Sequence, residues 1–464
     1  MKNLLRYGPL VACLLVGAAV LAIPMRQAPT TNPPPQPQHP VEPPPPVNTP
    51  NNAQVTFPLG NTAQAKVGLG QGVLALGANQ PLNLAVEVRG TAPMNHQNRA
   101  LILCVDRSGS MTGPNMAHAL NAARWLVQNL SADDEVALIS FSTHAGVDLP
   151  LTRADAGGKR AAMEAINNMV ARGGTNLHGG LRLAVNEGMR ASAAVRRVVL
   201  LSDGVPTEGD VRPNAITTLA QTASSRAVTV TALGVGSQAP GGLMDRVATA
   251  GGGNFRFIRD GGGLRAHLAA ELDETSRLSV QDMLITVELP EGFTFSHANG
   301  ALAEMHGRTV TLRLGDVVSG TTRSASVGLD VVAPNAPLYL TNVSLTARAN
   351  GAVVSGGGQV ATTTSTDAST VAASRVGWVG VRGELAAAAT EIKEAAGDFE
   401  RGNRGAGQAR LEAAARKIEE KAKYEPAMAA PAKKMRAMAD EAKADKDTGA
   451  TANKNYQEAF EMAR

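Results

Sequence analysis

Aromatic side chains and cysteine are scarce in this chain, and each shortage excludes something. The 464 residues include 8 Phe, 4 Tyr and 2 Trp, 3% in all, so any core must rest on Leu, Val, Ile, Ala and Met. The cysteines are two, Cys13 and Cys104. The first lies in an apolar N-terminal stretch and the second in an apolar strand, which argues against a mutual disulfide. Neither a CxxC nor a Cys/His cluster is present to hold zinc. Charge is also thin: 18% of residues are charged and the net charge is +4. No basic block or stripe marks a nucleic-acid partner. What is abundant is apolar sequence, 44%, enough for real cores in two to four domains.

The N-terminus pairs Lys2 and Arg6 with an apolar stretch from Tyr7 to Met25, nineteen residues long. That length approaches the roughly 20 residues of a bilayer span, whereas a signal h-region is about 7–15. An uncleaved membrane anchor over 1–25 is the first expectation. Cleavage after Ala22 and lipidation at Cys13 within "LVAC" are the alternatives, and all three place the following chain outside the cytoplasm, in the cell envelope or secreted. Residues 26–52, "RQAPTTNPPPQPQHPVEPPPPVNTPNN", read as an extended polyproline spacer, because proline removes backbone donors and fixes φ.

Residues 53–98 carry short alternating segments such as "AQVTFPL" and "LNLAVEVRG", read as strands. Over 99–277 apolar strands without alternation ("ALILCV", "EVALISF", "RRVVLLS", "AVTVTALGV") take turns with amphipathic helices. Such strands need cover on both faces, which predicts an open, doubly wound, mostly parallel α/β sheet with ligands at the strands' carboxyl ends. "GVDLPLT" reads as an edge strand. Strands return over 278–366 as a β-sandwich that the 53–98 strands can complete. From 367 to 464 an Ala/Glu/Lys/Arg-rich region with helical spacing predicts a small helical bundle.

The chemistry sits at the end of the first α/β strand, "LILCVDRSGSM". Alternate residues of an extended segment point the same way, so Asp106, Ser108 and Ser110 offer one carboxylate and two hydroxyls to one side. These are hard oxygen donors of low total charge, suited to Mg²⁺ or Mn²⁺. One loop leaves the coordination unfinished, and two further donors stand where the fold would bring them: Thr175 in "GGTNLHGG" and Asp203 in "LLSDGVPT". The plainer reading makes Ser110 a helix cap.

The five residues together, in order and on α/β alternation, resemble the von Willebrand factor type A family and its metal-ion-dependent adhesion site. The resemblance implies that Ser108, Ser110 and Thr175 coordinate directly or through water. It places Asp106 and Asp203 largely behind water or in the outer ring, with a partner's Asp or Glu completing the coordination. The flanking strands and "LGDVVSGTTRSASVGLDVVAP", followed by the Ala-rich region, are similar to bacterial YfbK-type and inter-alpha-trypsin inhibitor heavy-chain architectures. The expected function is a metal-dependent protein-binding module of the envelope. The alternative is a scaffold or adaptor subunit assembled through the C-terminal helices.

Enzymatic readings fare worse. An aspartyl-phosphate phosphatase wants a second Asp two residues after the first, where Ser108 stands. A serine hydrolase wants a G-x-S-x-G elbow that none of these serines has. His144 and His178 are near loops that could approach the strand ends but lack a partner motif, and "GGGNF" and "DGGGLR" lack the Lys-Ser/Thr of a phosphate loop.

Overall fold

The structure is a computed structural model that describes residues 53–464. The expected anchor and proline-rich spacer lie outside the described residues, among which no helix is long and apolar enough to cross a membrane. The alternating segments form β1 (Gln54–Leu59), β2 (Ala63–Leu69), β3 (Val73–Ala75) and β4 (Gln80–Gly90). The α/β region follows with β5 (Arg99–Asp106), α1 (Pro114–Asn129), β6 (Glu135–Phe141), β7 (Ala145–Arg153), α2 (Ala156–Asn167) and α3 (Leu177–Arg190). It continues with β8 (Val195–Ser202), α4 (Pro213–Ser225), β9 (Thr229–Val235), α5 (Gly241–Ala250), β10 (Gly252–Ile258) and α6 (Leu264–Ser276).

These strands form one sheet in the order β10-β9-β8-β5-β6-β7. All pair in parallel except β7, which runs antiparallel to β6 at the edge. Every residue of β5 is buried, because α1, α2 and α6 cover one face and α3, α4 and α5 the other. Apolar residues at each strand position, without alternation, are what two-sided cover demands. From β5 the chain moves first to β6 on one side and later to β8 on the other. The crevice of this doubly wound sheet therefore opens at the carboxyl ends of β5 and β8. Val105 is in register with Leu201, so Asp106 stands beside Ser202.

The remaining strands are β11 (Leu278–Glu288), β12 (Phe293–Asn299), β13 (Leu302–His306), β14 (Thr309–Val318), β15 (Thr322–Val331), β16 (Leu338–Ala349) and β17 (Ala352–Ser365). They join the first four in a sandwich of two sheets, β1-β2-β4-β15-β12 and β13-β14-β11-β16-β17-β3. Strand β16 alternates buried and exposed residues along most of its length, the pattern of a sheet with one wet face. Leu84, Val86, Val327 and Leu329 from one sheet meet Ile285, Val287, Leu312 and Leu345 from the other. The α/β domain is thus an insertion between β4 and β11 of a single sandwich.

A buried ion network fastens the two. Arg197 on β8 donates to Glu271 Oε2 on α6 at 2.8 Å and to Asp316 Oδ2 on β14 at 2.9 Å. The last elements are α7 (Ala368–Ala373), α8 (Gly377–Glu400), α9 (Arg404–Ala422), α10 (Ala429–Ala444) and α11 (Thr448–Ala463). Ile392, Phe399, Leu411, Ile418, Met435 and Met438 give the helices a core of their own. The bundle is also docked: Tyr456 and Phe460 of α11 belong to the core beneath α3–α5, and Trp378 donates to Gln54 of β1 at 2.9 Å.

Candidate metal centre

The five residues singled out in the sequence arrive on three loops at the carboxyl edge of the parallel sheet. Asp106 ends β5 with its carboxylate fully buried. Its Oδ1 accepts the Ser108 amide at 2.8 Å and its Oδ2 accepts the Ser202 hydroxyl at 2.5 Å. This folds the chain after β5 back on itself and turns both serines toward β8. Ser108 Oγ lies 2.9 Å from Ser110 Oγ, and Ser110 Oγ donates to Asp203 Oδ1 at 2.7 Å. Asn115, at the start of α1, donates to Asp203 Oδ2 at 3.4 Å.

Thr175 comes from the α2–α3 loop, which is pinned to both neighbours. Gly109 donates its amide to Gly173 O at 2.9 Å, and Thr207 and Glu208 donate theirs to Thr175 O at 3.0 and 3.3 Å. The Thr175 amide is taken by Thr207 Oγ1 at 2.9 Å. A Cβ placed on Gly204 would lie 3.4 Å from Ser110 Oγ and 3.8 Å from Thr175 Oγ1. The two hydroxyls thus flank the same backbone point, and glycine there leaves the space between them open.

The oxygen set fits a small hard cation. Mg–O bonds of about 2.1 Å in an octahedron set neighbouring oxygens about 3 Å apart. Ser108, Ser110 and Asp203 already hold consecutive oxygens at 2.9 and 2.7 Å. Burial pushes Asp106 up to about 6, against the hydrogen bonds from Ser202 and Ser108 that pull it down. Burial raises Asp203 as well. Burial thus disfavours the charged form of both carboxylates, which a bound cation would offset, and Arg107 is turned elsewhere, its Nε donating to Ser140 Oγ at 2.9 Å. Among the described residues, no group of three or more His, Cys, Asp or Glu side chains forms a competing centre.

The helix-cap reading of Ser110 does not hold. Ser110 lies within a short 3₁₀ turn at Gly109–Met111, and the N-cap of α1 is instead Gly113 at φ +89° with Pro114 in the first helical position. Three supporting residues escaped the sequence reading: Ser202, Asn115 and Thr207. Ser202 precedes Asp203 in "SDG" and alternates with it across the strand end, a hint that it faces Asp106. Asn115 and Thr207 carry no sequence signal. Cys104 is buried, and burial raises its thiol well above the usual range, so it is an inert core residue.

The family model described as the von Willebrand factor type A domain matches residues 100–267. Those residues form a type A domain. Domains of this kind commonly mediate protein–protein contacts and often bind a divalent metal. Inter-alpha-trypsin inhibitor heavy chain H4 of Homo sapiens is 28% identical over 215 residues, 44% of this chain and 22% of the relative. An uncharacterised protein of Synechocystis sp. is 27% identical over 261 residues, 52% of this chain and 59% of the relative. The chain thus spans less than two thirds of either relative.

Among solved structures, a von Willebrand factor type A protein from Catenulispora acidiphila superposes with a TM-score of 0.65 at 21% identity. The match covers 79% of this chain and 89% of that one. The ArnB paralog VWA2 from Sulfolobus acidocaldarius gives 0.59 at 14% identity, covering 86% and 98%. At these identities the likeness is one of fold, and it extends well beyond the type A domain itself.

Proposed function

We propose that the type A domain binds a protein partner by gripping an Asp or Glu of that partner through Mg²⁺ or Mn²⁺. In this reading Ser108, Ser110 and Thr175 are the near donors, while Asp106 and Asp203 act largely through water. The observation that carries it is the run of oxygens Ser108 Oγ, Ser110 Oγ and Asp203 Oδ1, spaced at 2.9 and 2.7 Å beside the gap at Gly204. Bound there, the ion supplies a strong electrophilic contact for an incoming carboxylate, because hydroxyl donors leave most of its charge uncompensated. The chain's own residues do the positioning. Ser202 holds Asp106, Asp106 holds the Ser108 amide, and Asn115 steadies Asp203.

The reading is that of a binding module rather than an enzyme. In its support, His144 and His178 make no hydrogen bond to the five residues among the described contacts, and the serine hydroxyls at the crevice are spent on one another and on Asp106 and Asp203. We place the domain outside the cytoplasm on the strength of the charged and apolar N-terminal sequence. Assembly through the C-terminal helices is the weaker reading, since their larger apolar side chains are spent on their own core and on the rest of the chain.

Thermal denaturation with and without divalent metal tests the reading. Mg²⁺ or Mn²⁺ should raise the melting temperature of the wild type and leave Asp203→Ala unmoved. At a metal concentration of about 100 times Kd the stabilisation is about 2.7 kcal/mol. Equal melting curves with and without metal for the wild type would sink the proposal. Partner capture should likewise be lost in EDTA and on Asp106→Ala.

A further inference from the structure

The candidate metal centre is bordered on one side by the helical bundle. From Asp203 the β8–α4 loop runs through Val205, whose side chain is 61% exposed. The β9–α5 loop lies alongside: a Cβ on its Gly236 would sit 3.9 Å from Asn115 Nδ2, the group that donates to Asp203. The far side of that loop is held by α11. Asn453 Nδ2 donates to Ser237 O at 3.4 Å, and a Cβ on Gly449 would come within 2.2 Å of the same carbonyl. Between Val205, this loop, the end of α8 and the start of α11 lies a groove of about 290 Å³, lined by Val205, Ser237, Pro240, Glu400, Thr448 and Asn453 among others. That volume is at the low end for ligand pockets, the size for one long side chain.

The groove has an apolar side at Val205 and Pro240 and a carboxylate at Glu400. Helix α8 carries five acidic residues, and four of them pair with cations: Glu384 with Lys421, Glu391 and Glu394 with Arg410, and Asp398 with Arg401 and Arg410. Glu400 is the exception. It accepts the Tyr456 hydroxyl at 3.1 Å and has no Lys or Arg within ion-pair distance among the described residues.

We infer that this groove is a second recognition pocket continuous with the metal face, taking a Lys or Arg from the partner segment whose carboxylate meets the metal. This rests on the metal-dependent reading above and narrows it to a partner segment bearing both an acid and a base. The aliphatic stem would lie along Val205 and Pro240 with its cationic head at Glu400, the usual division of such side chains. Opposite charges at the two ends, cation at the centre and carboxylate at the groove, fix the direction in which the segment docks.

The test uses the full chain in Mg²⁺ buffer and fluorescent Gly/Ser peptides with one Asp and one Lys at varied spacing, each beside analogues with Ala or Glu for the Lys. At the favoured spacing the Lys peptide should bind about threefold to fivefold tighter than the Ala analogue, the range of an exposed ion pair. Glu400→Gln should erase that preference and Glu400→Lys should turn it toward the Glu analogue. Val205→Ser should weaken the Lys peptide more than the Ala one.

The Mg²⁺ shift in melting temperature should persist in every variant. Metal-dependent binding indifferent to the flanking residue, a ranking unchanged by Glu400→Lys, or no binding above the EDTA background overturns the groove while the metal shift stands. Absence of that shift in the wild type overturns both.

Discussion

Ser202 shows how much of the centre depends on a side chain outside the motif. Its hydroxyl is the single side-chain donor to Asp106 Oδ2 among the described contacts, and Asp106 in turn sets the turn that presents Ser108. Ser202→Ala should cost about 1.5–3 kcal/mol of stability, because it strips a buried carboxylate oxygen of its hydrogen bond. It should also weaken Mg²⁺ binding about tenfold, as the loss of outer supports of metal ligands does. A Mg²⁺ titration of the melting temperature separates the two effects. A large drop in stability with unchanged metal affinity would assign Ser202 to the core alone. Asp106, Ser108, Ser110, Thr175 and Asp203 could be picked from the sequence because loop ligands recur at short, fixed spacing. Asn115 and Thr207 could not, because their duty is to support loops whose course depends on the packed sheet.

At the scale of elements, the helices divide by what they cover. Those of the type A domain were legible as amphipathic segments between apolar strands, and β7 as an edge strand. The bundle was legible as helices, but its docking was not, since Ala-rich faces do not advertise a particular partner. The seam between α5 and α11 is close: a Cβ on Gly241 would meet Asn453 Oδ1 at 2.1 Å and Tyr456 Cδ2 at 2.9 Å. Gly241→Val should push α11 away, costing about 1–3 kcal/mol as overpacking does. Hydrogen exchange would show faster opening of α11 with β5 still protected, and equal protection of α11 would refute the seam. Within the bundle, Ile392 is wholly buried, so Ile392→Ala should cost about 2–5 kcal/mol and release α8 from its neighbours in the same assay.

For the whole molecule the decisive group is Arg197, at the opposite end of β8 from the metal centre. It is buried between Glu271 of α6 and Asp316 of the sandwich, and Thr229 also donates to Asp316 at 3.0 Å. Removing one member of such a set leaves buried charge uncompensated, at a cost of about 3–5 kcal/mol. Arg197→Ala should therefore split a single calorimetric transition into two as sandwich and α/β domain lose their joint. A single transition at lower temperature would mean that the remaining contacts keep them coupled. The Mg²⁺ shift should survive, since the metal face lies a strand's length away.

What the sequence determined by itself was local. Unbroken apolar strands require cover on both faces, alternating strands require one wet face, and a D-x-S-x-S stretch at a strand end requires its oxygens to converge. Periodicity and spacing carry that information because they act within a few residues. The tertiary structure decided everything that joins distant segments. It set Asp203 against Ser110 and Thr175 on the other side of Gly204, threaded one sandwich through both flanks of an inserted domain, and brought Glu400 up beside Val205. Those pairings follow from strand order and close backbone packing, to which composition and periodicity are blind.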